Sequence, residues 1–369
     1  MISPELTYRI ALASLRPMAP ALARRLIGIT ETEERFFAMS ARQLAAVAGF
    51  NNRLFDDTLR ERVLREARNE VEFINANHIR PVYFTDPDYP RRLLECDDAP
   101  LMLYVLGETD FNSGLFASVV GTRHATPYGL DFVSSLVSGL ASGVAEPPAI
   151  VSGLAYGIDI AAHKAALDAG LPTVAVLAHG LNTIYPSTHR STAVSIVRNG
   201  GALVSEYRSC DAIHRGNFLA RNRIVAGLSD CTIVAESDIK GGALVTAKLA
   251  NNYSRDVMAL PGRTSDRYSR GCNALIASNI AQLVTCADDV AAAMNWPVKE
   301  PEGTQQELFT ELTPEEERVC DILRDRGEAS LNDLIARIDT PAPRLMGLLI
   351  DMEFKNLILA LPGSRYRLL

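Results

Sequence analysis

No run of the 369 residues is apolar for long enough to span a bilayer. Met1 to Pro20 carries Arg9 and Arg16 among short apolar stretches and lacks the apolar core and small-residue cleavage site of a secretory leader. No membrane association is expected. The cysteines Cys96, Cys210, Cys231, Cys272, Cys286 and Cys320 form no C-x-x-C pair and no zinc-ligand spacing. That argues against a zinc ribbon or a dithiol motif and fits a reducing, cytoplasmic setting. Neither a Walker A loop nor a G-x-G-x-x-G fingerprint occurs, so no cofactor is expected. An excess of positive charge is also missing: 37 Lys and Arg stand against 44 Asp and Glu, a net charge of −7. A nucleic-acid binder of this composition must rely on a local field. One stretch offers it, since Arg208, Arg215, Arg221 and Arg223 face only Asp211.

What is present points to folded domains. The hydrophobic fraction is 47% and the length exceeds one usual core, so two or three domains are expected. Residues 1–78 read as helical, with apolar spacing in Leu22, Leu26, Leu44, Val47, Leu59 and Val63. Residues 79–112 break into short extended pieces around Pro81, Pro87, Pro90 and Pro100, and read as an arm entering the next domain.

From Leu115 onward strand-like and helix-like runs alternate, the signature of a parallel sheet with crossover helices. The expected strands are Leu115–Val120, Ala149–Ser152, Thr173–Leu177, Ala202–Ser205, Cys231–Glu236, Asp256–Leu260 and Gln282–Thr285. They make residues 113–296 an α/β, Rossmann-like, doubly wound domain. Residues 297–312 read as a linker, and 313–369 as a small helical unit ending in two strands, the element order of a winged helix.

Three glycine turns could carry binding. Gly121-Thr122-Arg123 follows the first parallel strand and places backbone donors and a guanidinium where anions settle, although a tight turn with a surface arginine accounts for it equally. Ser152-Gly153 through Gly157-Ile158-Asp159 opens a helix after the second strand, with His163 on the same face as Asp159. That pair could serve a metal or acid/base site, or merely make a structural hydrogen bond. Lys240-Gly241-Gly242 precedes another helix and adds a mobile cation. Phe218 with Arg221-Asn222-Arg223 supplies a ring for base stacking and cations for phosphates. If Phe218 to Leu228 is one helix, Arg221 and Arg223 point about 200° apart and need not share a ligand.

Read in order, these segments resemble the DprA/Smf family over nearly the whole chain. The resemblance rests on Tyr89-Pro90, Pro100 with Leu103-Tyr104 and Gly107, Val120-Gly121-Thr122-Arg123, Ser152-Gly153-Leu154-Ala155 with Gly157-Ile158-Asp159, and His163. It continues through Gly180, Tyr185-Pro186, Ser205-Glu206, Phe218, Arg221-Asn222-Arg223, Gly242, Thr246-Ala247 and Pro261-Gly262. It implies a dimer that binds single-stranded DNA and helps load the RecA recombinase in transformation or recombination, without being an enzyme. It also implies a SAM-like N-terminal domain and a C-terminal winged helix. The chain departs from the family pattern at Leu219-Ala220, where proline is common, and at Lys240-Gly241-Gly242, where Ser-Gly-Ser is frequent.

Two other classes compete with this reading. A nucleoside-phosphate hydrolase on a related fold would need a Glu after its Pro-Gly turn, which Pro261-Gly262-Arg263-Thr264-Ser265-Asp266 does not provide. The other is a pure interaction scaffold with structural glycine turns. Residues 313–369 count eight bases against ten acids, and Ala342–Lys355 pairs Arg344 and Lys355 with Asp351 and Glu353. No DNA affinity is expected there, and Leu345, Leu348, Leu349 and Met352 read as a core stripe.

Overall fold

The computed structural model describes residues 4–299, 312–338, 340–355, 357–361 and 363–368, so most of the expected linker lies outside the described residues. The chain divides into two compact units, Met1–Lys299 and Glu300–Leu369. Among the described residues no helix is long and apolar enough to cross a membrane.

The first unit opens with α1 (Pro4–Ser14), α2 (Pro20–Thr30), α3 (Glu33–Ala38), α4 (Ala41–Ala48) and α5 (Asp57–Ala76). Ser40 and Asp56 cap α4 and α5, and Val63, Ala67, Val71 and Ile74 of α5 form its buried stripe. Leu26, Leu44 and Val63 are buried as their spacing suggests, whereas Val47 is 50% exposed. Buried Arg60 gathers the carbonyls of Phe55, Phe36, Phe37 and Met39, which satisfies the end of α3.

Nine strands form one sheet: β1 (Arg80–Tyr83), β2 (Met102–Gly107), β3 (Phe116–Val120), β4 (Ala149–Ser152), β5 (Thr173–Leu177), β6 (Ala202–Ser205), β7 (Cys231–Val234), β8 (Asp256–Ala259) and β9 (Gln282–Leu283). Their order is β1-β2-β6-β5-β4-β3-β7-β8-β9. From β6 through β9 the pairings are parallel, while β1 and β2 add antiparallel at the edge. Residues 79–112, expected as an arm, therefore supply two strands of the sheet. Their prolines are tolerated because Pro81 sits on an edge strand and the others lie in the connection between β1 and β2.

The α/β alternation produces a doubly wound, Rossmann-like sheet. α7 (Pro127–Gly143), α8 (Ile158–Asp168), α9 (Arg190–Arg198) and α13 (Ala287–Ala293) cover one face. α10 (Arg215–Gly227), α11 (Gly242–Asn252) and α12 (Arg270–Ala277) cover the other; α6 (Arg91–Leu94) is a single turn packed against α10. The N-terminal helices share a continuous apolar core with that second face, from Ile10 and Leu12 through Val204 and Ile224. The strand order reverses between β3 and β7, and ligands of such folds bind beyond the strand ends at that crevice.

The second unit contains α14 (Pro314–Arg326), β10 (Ala329–Ser330), α15 (Leu331–Ile335), α16 (Ala342–Phe354), β11 (Ile358–Leu361) and β12 (Arg365–Leu368). Its antiparallel sheet runs β10-β12-β11. Thr313 and Glu316 close a capping box at α14, with Pro314 at the first helical position. Leu345, Leu349 and Met352 are buried in its core, with Leu348 packed alongside.

Candidate nucleic-acid interface

At the switch point a cleft of about 260 Å³ opens between the ends of β3 and β7 and helix α10. Its floor is Gly121-Thr122-Arg123 and Gly153. Its walls are Phe218, Arg221 and Asn222 on one side and Gly241-Gly242 at the start of α11 on the other. The Gly121 turn is tied across the sheet, where the Thr122 amide donates to the Glu236 carbonyl at 2.7 Å. The Glu236 carboxylate accepts from the amide and hydroxyl of Thr126, and so anchors the start of α7. A Cβ at Gly121 would overlap Ile158, so glycine lets α8 approach β3 closely. α11 has no side-chain cap, so the amides of Gly242 and Ala243, which line the cleft, take no side-chain acceptor.

Arg123 is exposed and forms no ion pair among the described residues; its guanidinium lies over the Phe218 ring at 5.4 Å. Phe218 in turn meets Tyr185 edge-on, with centroids 5.7 Å apart. This cation-on-ring stack at the cleft mouth suits a phosphate beside an unstacked base.

Arg221 is a different kind of group. It is buried, its Nη1 donates to the Val176 carbonyl at 2.7 Å, and a Cβ on Gly153 would overlap its guanidinium. Gly153 thus makes room for an arginine that threads beneath the turn. The counter-charge is Asp159, whose carboxyl is raised above the usual range by burial, against the opposing pull of Arg221, Arg123 and the amides of Ala155 and Gly153.

The remaining expected site residues separate. The Ser152 hydroxyl donates to the Val119 carbonyl at 2.7 Å and lies buried within the sheet. Gly157 adopts φ 77° and lies against the Thr122 carbonyl, a backbone role. Lys240 is exposed on the turn beside the cleft. Arg223, on the opposite face of α10, pairs with Glu206 at 2.6 Å and lines a second cleft with Arg16 and Tyr207. The basic stretch is accordingly reduced: Arg208 is held by Glu66 and Asp211, Arg223 by Glu206, and Arg221 is buried. Arg215 remains as an exposed cation. Tyr185, which its motif alone does not place at a site, is a rim residue because the loop after β5 returns to Phe218.

His163 does not face the cleft. The Thr173 hydroxyl donates to the Ile150 carbonyl at 2.6 Å, so it accepts from His163 Nδ1 at 2.7 Å and fixes that tautomer. Among the described residues no group of His, Cys, Asp and Glu could hold a metal. Burial, with Arg221 and His189 nearby, lowers the His163 pKa to about 3. The unfolded chain takes up this proton below about pH 6.5 while the folded chain does not, so the stability is full at neutral pH and falls as pH drops. Between pH 6.5 and 5 urea unfolding should register a loss of about 2 kcal/mol that is missing from His163→Gln. Equal pH dependence in the two proteins would refute the neutral-histidine assignment.

Comparisons with known proteins agree with this architecture. Residues 80–295 match the profile of DNA recombination-mediator protein A. Protein Smf of Synechocystis sp. is 34% identical over 316 residues, which cover 84% of this chain and 77% of that protein. The X-ray structure of DNA processing protein A (DprA) from Streptococcus pneumoniae is similar with a TM-score of 0.63 at 30% identity, covering 77% of this chain and 95% of that one. DNA processing protein A from Helicobacter pylori, studied for its single-stranded DNA binding mode, is similar with a TM-score of 0.52 at 30% identity, covering 59% and 97%. With its parallel sheet, its switch-point cleft and this profile over most of the first unit, the chain belongs to the DNA recombination-mediator protein A family, that of the DprA and Smf proteins.

Proposed function

We propose that this chain binds single-stranded DNA in the switch-point cleft, protects it, and helps load the RecA recombinase on it, acting as a homodimer and as a binding protein without catalysis. The observation that carries the reading is the exposed Arg123 guanidinium stacked on Phe218 beside the uncapped start of α11. Phosphate, base and backbone each meet a suitable group there. The Helicobacter pylori relative's single-stranded DNA binding mode supports the choice of ligand. Gly121, Thr122, Gly153, Gly241 and Gly242 would shape the phosphate path, with Arg123, Phe218 and Lys240 in contact. In this reading Ser152, Gly157 and Arg221 hold the cleft's shape, and Arg223 stands outside it. The N-terminal helices would be the SAM-like domain and the second unit the winged helix.

The test is a gel shift with single-stranded and duplex DNA of equal length, where preference for the single strand supports the reading and equal or absent binding refutes it. Carried out on a chain ending at Lys299, the same assay should give an affinity within about threefold of the full chain, because the cleft lies wholly in the first unit. A tenfold loss would place DNA contacts in residues 300–369.

A further inference from the structure

Helix α16 has two apolar stripes, and only one is consumed by the fold. Leu345, Leu349 and Met352 are buried. On the outer face Met346, Ile350 and Phe354 are 47%, 50% and 84% exposed. Spaced four residues apart, they form one ridge, each turned only about 40° from the last. Gly347 lies beside it and keeps that edge low. At roughly 100° per residue, Glu353 borders the ridge on one side and Asp351 on the other. Both carboxylates are exposed, and neither joins an ion pair among the described residues. The two cations of this helix segment are committed, Arg344 to Glu315 at 2.9 Å and Lys355 to Glu316 at 2.6 Å.

From this arrangement we infer that the outer face of α16 docks a cationic amphipathic helix of a partner protein, whose apolar residues cover Met346, Ile350 and Phe354 while its Lys or Arg meet Asp351 and Glu353. An exposed aligned stripe of this kind marks an interaction face, and helix-on-helix recognition reads residues four apart. Charge decides the occupant. A DNA backbone would meet carboxylates on both sides of the helix. In a second copy of this unit, Asp351 and Glu353 would oppose their own equivalents. Residues 300–311 contain Glu300, Glu302, Glu307 and Glu311 and no Lys or Arg, so that segment is repelled as well. A cationic helix is complementary at both edges.

The probe is a fluorescein-labelled 16-residue model peptide with leucines on one helical face and lysines flanking them, compared with a peptide of the same pattern flanked by glutamates. Anisotropy is measured with the full chain. The lysine peptide should bind with a Kd on the order of 10 μM, and the glutamate peptide at least tenfold more weakly. Ile350→Ser with Phe354→Ser should weaken the lysine peptide tenfold or more. Asp351→Lys with Glu353→Lys should reverse the preference between the peptides. Unchanged preference in the reversed variant would mean that the net negative chain attracts cations generally, and would overturn the assignment. So would absence of binding, or sedimentation showing a dimer that Ile350→Ser with Phe354→Ser dissolves.

Discussion

Arg123→Glu should weaken single-stranded DNA binding by about thirtyfold or more, roughly 2 kcal/mol, while leaving thermal stability within about 0.5 kcal/mol. The guanidinium is exposed, forms no ion pair among the described residues and touches the Phe218 ring from outside, so reversing it breaks no buried contact. The substitution converts an attractive charge at the cleft mouth into a repulsive one. Salt gives an independent reading. With Arg123 exposed at the cleft, Lys240 exposed beside it and Arg215 exposed at the start of α10, about three phosphates would be neutralised. For a single strand that corresponds to a log–log slope near −2, about a twentyfold loss between 50 and 200 mM salt. The variant's slope should be shallower by roughly 0.7. Wild-type affinity in Arg123→Glu, or a slope near zero for the unaltered chain, would remove the phosphate site from this cleft.

Arg221→Leu should behave in the opposite manner, as a stability change before a binding change. Removing this guanidinium leaves the Asp159 carboxylate buried without its principal counter-charge and frees the Val176 carbonyl, a loss of about 3–5 kcal/mol. In a unit of this size that lowers the melting temperature by roughly 5–8 °C. Burial already raises the Asp159 pKa, and losing Arg221 raises it further. The folded variant then binds a proton that the unfolded chain releases above about pH 4, so the deficit should narrow as pH falls from 7 to 5. Adding Asp159→Asn should recover much of the loss at pH 7, because it removes the uncompensated charge. Urea unfolding of the single and double variants measures both effects. An Arg221→Leu protein of unchanged stability that no longer binds DNA would show that this arginine contacts the ligand.

These two expectations separate arginines that look alike in sequence. Arg123, Arg221 and Arg223 each stand near glycines or another cation, and each resembles a phosphate contact. In the fold Arg123 is exposed at the cleft, Arg221 is buried, and Arg223 is paired with Glu206. The path of Arg221 beneath Gly153 and the pairing of Arg223 with Glu206 join segments far apart in the chain, and local spacing carries no record of such partners. The same holds for Ser152, whose hydroxyl is taken by the neighbouring strand. The second unit repeats the point: its buried leucines follow from periodicity, but that a second apolar stripe stays uncovered depends on what packs nearby.

Local sequence suffices to locate the parallel strands β3 to β8, because each is a largely buried apolar run bounded by turn residues and followed by a helical repeat, whereas β9 is a short exposed pair. It also locates the three glycine turns, where a Cβ at Gly121, Gly153, Gly157 or Gly241 would overlap a neighbour. Tertiary structure decided that residues 79–112 join the sheet, because edge pairing with β6 is a long-range hydrogen-bonding choice and the prolines between those strands mask it locally. It also decided which cations remain free. Charge is written residue by residue, but its neutralisation depends on carboxylates such as Glu66 and Glu206 that only the folded chain brings within a few ångströms.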